Sequence, residues 1–189
     1  MALQQSLTPR LRRDAARNRE RVLVAARAAL DAGHTLQLND IAREAGVGVG
    51  TVYRHFPTTT DLLETLVADK FETLITEARS STTLEDPGTA LEEFLSVAFK
   101  LQIQDAGFAA VVAADTEALA STTALKVTLG RVFGRLVERA RESGHVRPDM
   151  HGTDLRVLLC GLAYAARLSG TDKTVHGLFF ETFMRGIRA

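Results

Sequence analysis

Apolar residues recur along almost the whole of this chain at intervals of three and four. Between 61 and 79 the run Leu62, Leu63, Leu66, Val67, Phe71, Leu74 and Ile75 keeps one continuous face apolar. A helix of 3.6 residues per turn can bury such a face; a strand of period two cannot. The same spacing joins Val22, Leu23, Ala26 and Leu30 within 14–30, and Leu38, Ile41, Ala42 and Ala45 in a short segment behind it. It returns in Leu125, Leu129, Val132, Phe133, Leu136 and Val137 within 123–142. Further helices are expected over 88–104, opened by the pair Asp86-Pro87, over the weaker stretch "DAGFAAVVAADTEALAST", and over 153–168 and 174–187. With no internal repeat and no low-complexity tract, the fold class is all-α, of about nine helices.

The breaks between helices carry the second layer of information. Gly33 stops the first helix and Gly46 the second, each suited to the left-handed cap conformation. Gln37 stands where the second helix wants an N-cap and is a weak one; any of the three threonines after Phe56-Pro57 can cap the long helix that follows. Between these lies "GVGVGTVYRHF", residues 46–56, with alternating glycines and no acidic residue. A phosphate-cradling glycine loop must follow a strand and open a βαβ unit, and no strand pattern precedes it. The glycines fit instead a three-to-four-residue turn between two short helices, Gly48 serving as N-cap of the second. That arrangement is the helix-turn-helix, whose second helix enters a DNA major groove.

On that helix Val52 and Phe56, four apart, form the bracing face. The remaining residues, Val49, Gly50, Thr51, Tyr53, Arg54 and His55, are then free to meet DNA. Thr51 can bond a base edge or pack on a thymine methyl, while Tyr53, Arg54 and His55 suit phosphate oxygens. Gly50 costs about 1 kcal/mol of helix propensity relative to Ala. Two reasons for it stay open: room for a neighbouring helix, or close approach of a nucleic acid. His55 likewise reads either as a phosphate ligand or as a structural histidine.

The formal net charge of zero hides an asymmetry that bears on this reading. Residues 1–56 hold nine Arg against five Asp/Glu, a balance of +4, leaving −4 on the rest. A basic head on an acidic body points a polyanion at the head alone. The run of arginines from Arg10 to Arg21 can follow a backbone or enter a minor groove, or be a solvated end. The organisation expected is a flexible basic arm at 1–13, a helix-turn-helix domain at 14–57 and a helical body at 58–189.

"LNDIAREAGVGVGTVYRHFPTTTDLLETL", preceded by "RNRERVLVAARAAL", resembles the DNA-binding domain of the tetracycline-repressor (TetR) family of transcriptional regulators. The likeness covers 17–68 and rests on the "IAREAGV" turn, the "GTVYRHF" recognition helix and the leucine-rich helix after them. It implies a three-helix head on a helical body, with 58–189 as a ligand-binding and dimerisation domain. It also implies a homodimer on a palindromic double-stranded operator, and release by a small molecule held in the body. Carried over by position, the DNA-binding set is Arg17, Arg43, Val49, Gly50, Thr51, Tyr53, Arg54, His55 and Thr59. Thr59 stands where many members place Lys or Arg, and Gln37 and Gly48 where members usually have Ser or Thr. These departures leave open a helical ligand- or protein-binding module in which DNA binding is weak or lost.

Beyond Ala68 the likeness fades and the residues say less. The last two helices resemble the family's dimer pair, with Leu155, Leu158, Leu159, Leu162 and Ala166 on one and Leu178, Phe179 and Phe183 on the other. Phe71, Phe94, Phe99, Phe108 and Phe133 either line a pocket for an unknown small apolar or amphipathic effector or are plain core. The histidines lack metal spacing, no nucleophile is paired with a base, and no cofactor loop exists, so neither an enzyme nor a metal or cofactor site is expected. Cys160 stands alone, which fits a reducing compartment and rules out an intramolecular disulfide. No run of ~18 apolar residues is present to span a membrane. No apolar signal segment opens the chain, so the expected location is cytoplasmic.

Overall fold

The computed structural model describes the backbone of residues 7–189 and the side chains of residues 13–189. Among them are nine helices and no strand: α1 Leu7–Asp31, α2 Leu38–Ala45, α3 Val49–His55, α4 Thr59–Ser81, α5 Pro87–Gln104, α6 Ala106–Ala113, α7 Ala120–Glu142, α8 Gly152–Leu168 and α9 Lys173–Ile187. They form two compact units that divide within α4, between Leu66 and Val67. Helix α1 starts at Leu7 rather than Asp14, so residues 7–13 of the expected arm are helical. Residues 1–6 of that arm, and the side chains of Arg10 and Arg12, lie outside the described residues.

The first unit is a small core enclosed by α1, α2, α3 and the start of α4. Val22 and Ala26 of α1, Ile41 and Ala42 of α2, Val52 of α3, Phe56, and Leu62 of α4 are all buried there. Burying each larger aliphatic or aromatic side chain contributes about 1.5–3 kcal/mol, which outweighs the poor propensity of a seven-residue helix like α3. Gly46 takes φ 61°, and the amide of Val47 donates to the Ala42 carbonyl at 3.0 Å, closing α2 with a left-handed cap. Gln37 makes no side-chain cap bond. Helix α4 is capped by Thr58: the Asp61 amide donates to Thr58 Oγ1 at 3.1 Å, and the Thr58 amide donates back to Asp61 Oδ2 at 2.9 Å. This reciprocal pair is a capping box, and it picks Thr58 out of three candidates.

In the second unit α5 is the central helix, packed against α6, α7, α8 and α9. Asp86 caps it by accepting from the Thr89 amide at 2.7 Å, with Pro87 in the first turn. Asp105 ends α5 and caps α6, accepting from the Phe108 amide at 2.8 Å. The two helices bend by 115° at that residue. Asp105 also meets Lys70 of α4 at 3.1 Å, and Phe108 packs edge-on against Phe71, centroids 5.0 Å apart, so α4 is held to the bend. The segment after α6 is not helical until Ala120, against the expectation of one helix through "ADTEALAST". Helix α6 stops at Ala113, whose successor Ala114 is extended. No single helix among the described residues is long and apolar enough to cross a membrane.

Candidate nucleic-acid interface and effector cavity

Helix α3 is braced from behind and open in front. Val52 is fully buried and Phe56, the C-cap, is 2% exposed. The opposite side carries Val49 at 45% exposure and Tyr53 at 46%, one turn apart, with Gly50 and Arg54 exposed beside them. Thr51 and His55 are half-buried at the edges of this face. Tyr53, Arg54 and His55 have no hydrogen-bond or ion-pair partner among the described residues, so their donors are uncommitted. A Cβ added at Gly50 would meet nothing within 4 Å. Room for a neighbouring helix is therefore not what keeps this residue small.

The basic residues around α3 divide by what they hold. Arg21 donates to the Gly46 carbonyl at 3.1 Å and fastens α1 to the turn. The guanidinium of Arg19 lies 5.4 Å from the centre of the Phe56 ring, a cation–π contact with a buried brace. Arg17 is exposed and only loosely placed, 4.0 Å from Asp14, and Arg43 pairs with Asp40 at 2.9 Å on the surface. Such exposed pairs contribute little and exchange readily for another anion. Thr59, exposed, is the first residue of α4 after the Thr58 cap.

The second unit contains a half-open cavity of about 410 Å³. Phe71, Phe94 and Phe133 form its aromatic wall, and Gln102 lines it beside them. Asp115, Glu117, Lys126 and Arg156 also line it. Lys126 donates to Glu117 at 2.6 Å and to the Ala114 carbonyl at 2.9 Å, fixing the extended segment after α6. The bond from Lys126 holds the Glu117 carboxyl below its ordinary range. On α8 and α9, Val157, Leu158, Tyr164, Leu168 and Leu178 are exposed, Leu168 by 72%. Such an apolar row is larger than isolated surface residues require.

Two family models match the chain. "Bacterial regulatory proteins, tetR family" covers residues 23–66, and "Transcriptional regulator SbtR-like, C-terminal domain" covers residues 86–189, more than half of it. The chain belongs to the TetR family. A TetR transcription regulatory protein from Mycobacterium vanbaalenii is 31% identical over 95% of this chain and 99% of its own, with a TM-score of 0.50. An HTH-type transcriptional regulator of Staphylococcus aureus is 36% identical over 69 residues, which is 35% of this chain and 37% of that relative. The fold is shared with the transcriptional regulator FadR from Bacillus subtilis, solved in complex with stearoyl-CoA, at 17% identity, 89% of this chain, 99% of that one and a TM-score of 0.61. The protein is thus a transcriptional regulator built as a helix-turn-helix head and an all-α body.

For this TetR-family regulator the structure redraws two expected sets. Of the five phenylalanines, Phe71, Phe94 and Phe133 reach the cavity, but Phe108 is buried against Phe71, and Phe99 stacks on Phe180 at 5.5 Å elsewhere. Among the expected dimer residues, Leu155, Leu159 and Ala166 face the chain's own core and are buried. Leu158 and Leu178 are exposed, while Leu162, Phe179 and Phe183 are half-buried. Helix α8 is apolar around most of its circumference, so periodicity alone did not separate the inner stripe from the outer one that carries Val157, Tyr164 and Leu168. Gln102 also escaped notice, although a glutamine four residues after Ala98 and eight after Phe94, on their own buried face of α5, was a readable signal. Cys160 is half-buried and its thiol is pushed up by that burial, more than Arg156 and Arg167 lower it. This opposes a reactive thiolate.

Proposed function

We propose that the protein is a homodimeric repressor whose α3 enters the major groove of a palindromic operator and withdraws when a small molecule fills the body cavity. The observation that carries the DNA half is the outward face of α3: Val49, Tyr53 and Arg54 exposed, the last two without hydrogen-bond or ion-pair partners among the described residues, on a helix pinned by Val52 and Phe56. Gly50, small for no internal reason, supports close approach of a sugar-phosphate backbone at that point. Arg17, Arg43 and Thr59 add phosphate contacts, and Thr51 and His55 complete the set from its edges.

Two heads bind in concert only if two chains pair, with half-sites separated by multiples of ~34 Å. The exposed apolar row of α8 and α9, centred on Leu158, Tyr164 and Leu178, supports a two-fold contact of four helices. For release, α4 runs unbroken from the Thr58 cap to the cavity wall at Phe71. A ligand that moves Phe71, or the bend at Asp105 that holds Lys70, moves α4 and with it the first turn after α3. That the related fold of FadR holds stearoyl-CoA supports a ligand-taking body in this chain too.

Titration of DNA flanking the protein's own gene, followed by fluorescence anisotropy, tests the assignment. Wild type should bind with affinity falling steeply as salt rises, in proportion to the phosphates neutralised. A Tyr53→Ala, His55→Ala double variant should lose at least about tenfold at unchanged Tm, since each uncommitted contact contributes on the order of 1 kcal/mol. Equal affinity of the two proteins would remove α3 as the reading element.

A further inference from the structure

We propose that the body cavity selects a neutral, mostly apolar small molecule bearing one hydrogen-bond donor, a hydroxyl or N–H, which the side-chain oxygen of Gln102 accepts. This rests on the reading of the cavity as the effector site and names the class of effector. Gln102 is 3% exposed and shares the cavity side of α5 with Phe94 and Ala98. Its Nε2 donates to the Ala98 carbonyl at 3.3 Å, and its backbone carbonyl accepts from Arg167 Nη1 at 2.8 Å. Its Oε1 is buried and has no hydrogen-bond partner among the described residues. An acceptor closed off from water and left unpaired is destabilising, where a Leu or Met of similar volume would not be. Folding therefore gives no reason for an amide at this position, whereas a donor arriving in the cavity that Gln102 lines does. The terminal torsion of a glutamine is broad and soft, so the amide can turn to meet that donor without disturbing α5.

The rest of the wall sets the remainder of the ligand. Phe71, Phe94 and Phe133 offer ring faces to an apolar body, and about 410 Å³ lies at the smaller end of the ~300–1,000 Å³ common for small-molecule sites. The lining carries two acids, Asp115 and Glu117, and two bases, Lys126 and Arg156, so the formal charge balances to zero. Lys126 is already matched by Glu117. An ionic ligand has no net field to draw it in; a neutral one meets no opposition.

The test uses the full chain and three probes of like shape: para-propylphenol, its methyl ether and propylbenzene. By calorimetry, wild type should bind the phenol about tenfold more tightly than the other two, the worth of one buried hydrogen bond. Gln102→Leu and Gln102→Met should lose that preference while still taking propylbenzene, and their unliganded Tm should equal or exceed that of wild type. Equal affinity of phenol and ether for wild type overturns the proposal. So does a preference that survives in both variants, a fall in Tm of both, or no binding of any probe at millimolar concentration. Operator release, measured in parallel, separates the two readings. Phenol preference without release leaves the donor-accepting cavity standing and removes the effector role; release without preference does the reverse.

Discussion

Helix α3 and the cavity hold their candidate residues in opposite ways. On α3 the residues proposed to meet DNA lie mostly outside the packing: Tyr53 and Arg54 are exposed, Thr51 and His55 are half-buried at the edges, and Val52 and Phe56 are the buried braces. In the body the residues offered to a ligand are the packing itself, since Phe71, Phe94 and Gln102 are buried members of α4 and α5. The head therefore separates binding from stability residue by residue, and the body does not. This difference dictates what mutation should do in each.

The largest effect is expected where the head concentrates its stability. Phe56→Ala removes a ring that is 2% exposed and also the partner of Arg19, and should cost about 3–5 kcal/mol, a large share of a marginal total. Phe133→Ala in the body should cost less, because that ring already borders open space on the cavity side and has fewer contacts to lose. Urea unfolding of both variants checks the ranking. Equal losses would mean that the cavity wall is as tightly held as the head's brace, and the contrast would fail.

Next in size is the pairing of two chains. Tyr164→Glu with Leu168→Glu changes two exposed side chains of α8 and should leave the monomer's fold intact. If the row is the dimer contact, the variant should sediment as a monomer and lose operator affinity by well over tenfold, because two half-sites no longer act together. A dimer that persists would place the contact elsewhere and leave the apolar row without a role.

The same contrast accounts for what was legible before the fold was known. The head is written in local signals: glycines at both caps of the turn, a four-residue apolar pair behind α3, a threonine run at the start of α4. Each acts within a few residues, so each could be read, and the outward face followed from the bracing one. The body depends on which of several apolar faces meets which neighbour. Leu155 and Leu158 are equally apolar, yet one is buried in the chain's own core and the other is exposed. Phe99 and Phe94 are likewise alike in sequence and sit on different walls of α5. Only long-range packing decides between them, and no spacing rule contains it. The start of α1 was missed for a related reason: a polar, arginine-rich stretch has no apolar face to betray a helix.

A smaller effect distinguishes two glycines. Gly50→Ala adds a methyl to open space and should stabilise the head by up to about 1 kcal/mol through helix propensity, while operator affinity falls if DNA comes close there. Gly88→Ala in the body places a Cβ 2.4 Å from His145 and should destabilise instead. Thermal melts give both signs. If Gly50→Ala left operator binding unchanged, backbone approach at that point would be removed from the reading.

The smallest effect concerns acid, and it belongs to the body. Asp86 caps α5 and its carboxyl is held below the ordinary 3.8, chiefly by its bonds from Thr89 and less by His145 at 3.4 Å. Asp172 caps α9 and is lowered in the same direction by the amides of Thr174 and Val175. A carboxyl whose folded value is depressed contributes stability that is fully present above its unfolded value and fades as pH falls through the lower folded one. Asn at both positions keeps an acceptor for the same amides but loses the charge at the helix N-terminus. The Asp86→Asn, Asp172→Asn variant should therefore be slightly less stable than wild type at about pH 5, with the gap closing toward about pH 2. Both carboxylates are exposed, so the gap should also shrink in high salt. A difference that stays constant with pH would trace the loss to altered hydrogen-bond geometry at the caps rather than to charge.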